Sequence, residues 1–178
     1  MIYLPKRAVF IHIPRTGGNS ITNAIASTCA GNNIDCIIGT APMDLAGWYK
    51  LNRHIRAANL YRFISEWDDI FKFAIFRPEQ ERIDSVSRLI DRDIKSKIYE
   101  ESTCPPIWRE VLLGNKEKYL AEFALRDWDW HVKDQRNKNG DLGVERFEFK
   151  DLSKVWSKIC EKCQIPQCKL PHLNIGSS

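Results

Sequence analysis

Apolar residues recur along this chain in two rhythms. Apolar runs at 8–13 and 71–76, interrupted by His12 and Lys72 respectively, have the length and the β-branched and aromatic content of strands covered on both faces. Elsewhere the spacing changes to three and four. Ile21, Ala24, Ile25 and Thr28 share one face of a helix predicted over 19–29, and Ile83, Val86, Ile90, Ile94 and Ile98 mark a second that runs from 79 to the nineties, with Cys104-Pro-Pro106 as the break. Leu152, Val155, Trp156, Ile159, Cys160 and Cys163 mark a closing helix. Weaker patterns predict a short strand at 36–38, irregular chain to 51, helices at 56–67, 107–113 and 116–125, a turn at 137–140 and a last strand at 142–149. Strands alternating with helices are the order of an α/β fold. The expectation is one domain over 1–178, a P-loop-like central parallel β-sheet flanked by helices.

Composition narrows the setting. The chain has 178 residues, 43% of them hydrophobic, which suits one globular domain with a real core. No run of about 18 apolar residues occurs, so no membrane span is expected, and the first residues hold too short an apolar stretch for a secretory signal. A net charge of +4 leans towards anionic partners but falls far short of a nucleic-acid signature. The six cysteines are irregularly spaced in a chain large enough not to need staples, so reduced thiols and a cytoplasmic location are expected.

Chemistry concentrates where the first strand meets the first helix. Pro14-Arg15-Thr16-Gly17-Gly18-Asn19-Ser20 joins them. Glycines let the backbone turn with its N–H groups inward, and a helix start leaves further N–H groups unpaired at the positive end of its dipole. Arg15 adds a charge, and Thr16 and Ser20 add hydroxyls. A strand, a Gly-Gly loop with a cation and a helix start suffice to hold a phosphate or sulfate group. The nucleotide-binding phosphate loop is a poor match, since its four-residue glycine spacing and its Lys-Ser/Thr pair are missing. A second constellation follows the 71–76 strand: Arg77-Pro-Glu-Gln-Glu-Arg82-Ile-Asp-Ser85. Arg77 stands at the carboxyl end of a buried strand, where open α/β sheets place ligands, and with Ser85 offers a place for a second phosphate. Ion pairing at the start of a charged helix is the alternative reading of the same residues.

These segments resemble those of sulfotransferases that use 3′-phosphoadenosine 5′-phosphosulfate (PAPS), the carbohydrate sulfotransferases and their compact microbial relatives in particular. Their phosphosulfate loop commonly reads His-Ile-Pro-Lys-Thr-Gly-Gly-Thr-Ser, and their second site Arg-Asn-Pro-x-x-Arg-x-x-Ser. Here Pro78 and Glu79 replace the Asn-Pro, so the turn and the role of Arg82 differ. Gly143-Val-Glu-Arg146-Phe-Glu148 is similar to the family's Gly-Arg-Phe-Glu strand, and Leu170-Pro-His172-Leu-Asn174 to its closing Leu-Pro-His-x-Asn loop. The resemblance implies PAPS as cofactor and 3′,5′-adenosine bisphosphate (PAP) as product. It implies cofactor contacts from Pro14 to Ser20, from Arg77 and Ser85 to the 3′-phosphate, and from His172 and Asn174. No metal is required, because the sulfuryl group carries less charge than a phosphoryl group and protein cations suffice. The acceptor is a hydroxyl, expected on an oligo- or polysaccharide.

Sulfuryl transfer needs an in-line acceptor hydroxyl, a base for its proton and charge stabilisation at the leaving oxygen. His54 precedes a helix and the 71–76 strand, the place where related sugar sulfotransferases carry their base, and an unperturbed imidazole is largely neutral near pH 7. His131 is the second candidate, and His12, on a buried strand, reads as structural. Arg15 stands where the family has lysine; it can neutralise the leaving oxygen but is a very poor proton donor. Two other functions fit the same loop: a nucleotide-dependent phosphotransferase, or a non-catalytic PAP/PAPS-binding module.

Three further features compete for a role. Cys160, Cys163, Cys168 and His172 have zinc-competent side chains in a short span, although Cys160 and Cys163 fall on the apolar face of the last helix. Trp128, Trp130 and His131 suit a sugar platform, and suit a core or groove wall better. Arg53, Arg56 and Lys133 favour an anionic sugar if they are not simply a solvated face.

Overall fold

The computed structural model describes residues 1–39, 43–45, 49–51, 54–134 and 140–170. The chain divides into two compact units, Met1–Arg77 with Trp128–Ser178, and Pro78–Asp127.

The first unit is built on a sheet of five strands among the described residues. They are β1 (Ile2–Leu4), β2 (Ala8–Ile11), β3 (Ile37–Ile38), β6 (Phe71–Phe76) and β7 (Glu145–Glu148), in the order β3-β1-β2-β6-β7. β2, β6 and β7 run parallel, with Phe10 opposite Phe73 and Ile75 opposite Phe147. The sheet expected to be largely parallel has a parallel centre and is mixed, with antiparallel pairing at the β1 side. β1 pairs antiparallel with both β2 and β3. Its three residues turn straight into β2 through 5–7, where Lys6 takes a left-handed φ of 59° and the Arg7 N–H donates to the Leu4 carbonyl at 3.0 Å. So tight a connection can only join antiparallel neighbours. A separate antiparallel pair, β4 (Met43–Leu45) and β5 (Tyr49–Leu51), occupies part of the stretch expected to be irregular.

Side chains of β2 alternate between two apolar cores, which is why the run carries no polar interruption before His12. On one face Ala8 and Phe10, with Phe73 and Ile75, pack against α1 (Gly18–Gly31) and α7 (Leu152–Lys162) through Ile21, Ile25, Trp156 and Ile159. Phe10 and Phe73 stack at 5.0 Å, and truncating either to alanine costs about 3–5 kcal/mol on the general scale for buried aromatics. On the other face Val9, Ile11 and Ala74 meet Ile55, Leu60, Ile64, Trp67 and Val132. That layer contains α2 (Ala57–Leu60) and α6 (Trp128–Val132).

The helix expected over 56–67 is thus only four residues long. Its remainder is a series of turns, such as Trp67 N–H to the Ile64 carbonyl at 3.1 Å, that still bury Ile64 and Trp67. The Glu66 carboxylate accepts from its neighbour Ser65 and, on the β1–β2 hairpin, from the Tyr3 hydroxyl and the Lys6 N–H, which tie the segment to the hairpin. Before β7, the Gly143 N–H donates to Asp141 Oδ1 at 2.9 Å and Gly143 adopts φ 68°, so that strand starts three residues later than expected. Residues 137–139 of the expected turn lie outside the described residues.

The second unit is helical: α3 (Glu79–Lys95), a 3-10 turn (Ile98–Glu100), α4 (Pro106–Leu112) and α5 (Lys116–Ala124). Val86 and Ile90 pack with Val111, Leu112 and Phe123. α3 ends before Ile98, because the Ser96 hydroxyl bonds back to the Arg92 carbonyl at 2.9 Å and Lys97 turns left-handed. Among the described residues, no helix is long and apolar enough to cross a membrane.

Candidate anion-binding site

β2 ends at Ile11, and the chain turns through His12 to Gly17 before α1 begins. The turn has two left-handed residues, Arg15 at φ 67° and Gly17 at φ 79°. Gly17 tolerates that region because it lacks Cβ; an arginine there is uncommon and carries a steric cost. The loop is held from within. Thr16 is buried, and its hydroxyl donates to the Ile13 carbonyl at 2.9 Å. Its one hydroxyl hydrogen is thereby used inside the loop. The Gly17 carbonyl accepts from Ser20 N–H at 3.1 Å and Ile21 N–H at 3.4 Å, which starts α1 one residue earlier than the sequence pattern suggests. The first turn of α1 has no acidic residue to compete for its positive end. Gly18 is required for a different reason. A Cβ there would lie 2.0 Å from His12 Cδ2, because the buried imidazole fills the space beneath the helix start.

Two side chains from distant parts of the first unit converge on this loop. Arg77, at the end of β6, lays its guanidinium over the Phe149 ring at 4.8 Å and reaches the Arg15 carbonyl with Nη1 at 3.4 Å. His54 places Nδ1 3.1 Å from the His12 carbonyl, and its exposed ring stands edge-on to His12 with centroids 4.6 Å apart. The strand end, the Gly-Gly loop with its Arg15, the Arg77 guanidinium and the His54 imidazole therefore belong to a single neighbourhood. That chemistry suits an anionic ligand carrying a group that loses a proton.

The other residues singled out by the sequence fall in several places. Pro14 is half-buried on the loop, and Asn19, exposed, and Ser20, half-buried, lie in the first turn of α1. Ser85 is buried on α3 in the second unit. Arg82 is buried there too, at 3% exposure. It donates from Nη2 to the Arg126 carbonyl at 3.1 Å and lies 5.0 Å from the Phe123 ring centre, an internal strut between α3 and the end of α5. Burial lowers its pKa, while Glu79 and Asp127 act in the opposite direction. His172, Asn174 and Arg53 lie outside the described residues.

The aromatic cluster is packed. Trp128 meets Phe76 edge-on at 5.8 Å, and His131 is buried beside Trp130 at 4.7 Å. Arg56 donates from Nε to the Trp130 carbonyl at 2.6 Å and covers that ring at 4.6 Å, while Lys133 pairs with Asp129 at 2.7 Å. These cations are tied to α6. One residue to which sequence reasoning assigned no role is Arg146. On β7 it stacks over Phe76 at 3.2 Å and bridges Glu148 at 2.8 Å, and the cue was its place in Gly-Val-Glu-Arg-Phe-Glu.

The cysteines carry free thiols. Cys160 and Cys163 face the core from α7, and burial pushes the Cys160 thiol up to about 11 and the Cys163 thiol higher still. Cys160 and Cys168 approach at 3.9 Å between sulfurs. Among the described residues no group of three or more His, Cys, Asp or Glu is placed to hold a metal ion. Compared with protein-family models, with curated proteins and with solved structures, the chain finds no match in any of the three.

Proposed function

We propose that the chain transfers a sulfuryl group from PAPS to a hydroxyl, on an oligo- or polysaccharide, using a P-loop-like strand–loop–helix. The observation that carries this reading is the convergence of Arg77 and His54 on the loop between β2 and α1, whose residues 15 and 17 are both left-handed. The donor set fits a phosphosulfate. It combines backbone N–H groups at a helix start, two guanidinium groups and no carboxylate in the first turn of α1. When bound, PAPS supplies a sulfuryl group on a phosphate that is already a good leaving group.

In this reading N–H groups of 16–19 and the Ser20 hydroxyl hold the 5′-phosphosulfate, and Arg15 neutralises the charge that builds on the departing oxygen. Arg77 takes the 3′-phosphate through its guanidinium. His54 accepts the proton of the acceptor hydroxyl, and its exposure leaves room for a large acceptor. The absence of the lysine found in the resembling family makes Arg15 an electrostatic partner only.

The test is transfer of radiolabelled sulfate from PAPS to a panel of oligosaccharides, with thermal shifts on PAP and on ATP with magnesium beside it. Stabilisation by PAP alone, with labelled product, is expected. His54→Ala should keep PAP affinity and lose about 10² to 10⁴ in rate, while Arg15→Lys should keep or raise the rate. Stabilisation by ATP with magnesium and not by PAP would refute the reading in favour of phosphotransfer. Tight PAP binding without transfer to any acceptor would leave a binding module.

A further inference from the structure

His12 lies where three parts of the first unit meet. The residue is 4% exposed, and its ring stacks on Phe10 with centroids 5.8 Å apart. Above it is Gly18, so close that no Cβ fits: the nearest ring atoms would stand at 2.0 and 2.1 Å. Beside it is the His54 ring, edge-on at 4.6 Å. A ring enclosed in this way has little freedom, and neither has the backbone that carries it.

The carbonyl of this residue is the partner of His54 Nδ1 at 3.1 Å. A carbonyl oxygen only accepts, so Nδ1 must carry the hydrogen. In a neutral imidazole one nitrogen is a donor and the other an acceptor, and the bond made by one decides the state of the other. With Nδ1 protonated in the neutral ring, the basic lone pair of His54 is on Nε2. Had the Nδ1 partner been a donor, the tautomer would be reversed and Nε2 could not take a proton.

We propose that His12 is a positioning residue: packed between Gly18 and His54, it holds its own carbonyl where it fixes His54 as the Nδ1–H tautomer and leaves Nε2 as the proton acceptor. The use of Nε2 as a base rests on the sulfotransferase reading, whereas the tautomer and its dependence on His12 do not. The proton taken from an acceptor hydroxyl goes to Nε2, giving an imidazolium that keeps its Nδ1 bond to the His12 carbonyl.

The experiment is a long-range proton–nitrogen NMR correlation of the imidazoles in the full chain at a pH where they are neutral, with His54 assigned from a His54→Gln spectrum. A protonated Nδ1 and a pyridine-like Nε2 are expected for His54 in the wild type without any ligand. His12→Ala should turn this into a mixture of tautomers. His12→Phe, which refills the slot with a flat ring, should restore it. Transfer to an oligosaccharide should fall about 10- to 100-fold in His12→Ala, the usual effect of losing a group that orients a functional histidine, and recover in His12→Phe. A wild-type His54 protonated at Nε2 would overturn the proposal even if His12→Ala does not fold. An unchanged tautomer in a folded His12→Ala protein would do so as well. Failure of PAP to bind while the Nδ1–H tautomer persists would instead remove the sulfotransferase reading and leave the positioning role standing.

Discussion

Replacing Gly18 by alanine inserts a methyl group where the His12 ring already lies. The added carbon would stand 2.0 Å from Cδ2, 2.1 Å from Nε2 and 2.6 Å from Cγ of that ring, against the roughly 3.5–4.0 Å of an ordinary carbon contact. Relief cannot come from a flexible side-chain end, since the imidazole is buried between Phe10 and His54. Overpacking of this kind costs about 1–3 kcal/mol, and the better helix propensity of alanine returns up to about 1 kcal/mol. A net loss of about 1–2 kcal/mol lowers the melting temperature of a chain this size by roughly 2–8 °C. Gly31, the last residue of the same helix, supplies the control. A Cβ there meets nothing within 4 Å, so Gly31→Ala should stabilise by about 0.4–1 kcal/mol, chiefly by restricting the unfolded chain. Differential scanning calorimetry of the two variants measures one chemical change with opposite expected signs. A Gly18→Ala protein that melts at or above the wild type would show that His12 does not fill that space.

Three other outcomes are expected. Arg77→Ala should weaken PAP by about 2–4 kcal/mol in calorimetric titration and barely affect adenosine 5′-phosphosulfate, which lacks the 3′-phosphate; equal losses would assign Arg77 a different role. Gly17→Val places a β-branched residue at φ 79°, and should abolish PAP binding while circular dichroism retains the folded spectrum; undiminished binding would take the loop out of the site. Tyr3→Phe should alter both pH limbs of stability. The Tyr3 hydrogen bond is the largest of those that hold Glu66 at about 2 in the fold, below its ordinary 4.5, so the stability it contributes is present above pH 4.5 and lost as pH falls towards 2. Burial, then the Glu66 bond and charge, raise Tyr3 to about 12, so that contribution is present below pH 10 and lost as pH rises towards 12. Urea midpoints against pH should therefore be flatter in both windows for the variant, and an acid limb identical to wild type would contradict the assignment.

Local pattern alone determined the elements whose burial is decided by their own residues. Phe71–Phe76 reads as a strand because both its faces are covered, leaving no polar interruption strong enough to break the run. The helices at Glu79–Lys95 and Leu152–Lys162 follow from apolar spacing, and the Gly-Gly turn with Arg15 marked the loop before α1. Tertiary structure decided the rest, because the partners are far away in sequence. Ile2–Leu4 is too short to register as a strand and becomes one by pairing with β2 and β3. The 56–67 segment was apolar at helical spacing, yet Glu66 is held by Tyr3, 63 residues away, and the chain turns instead. Arg82 had the spacing of a ligand-binding arginine and is a strut to the Arg126 carbonyl. His12 read as a structural residue on a buried strand. Its contacts with Gly18, and with His54 42 residues on, arise only where β2, α1 and the segment before α2 are folded together, since a hydrogen bond between such distant groups leaves no periodic mark on the sequence.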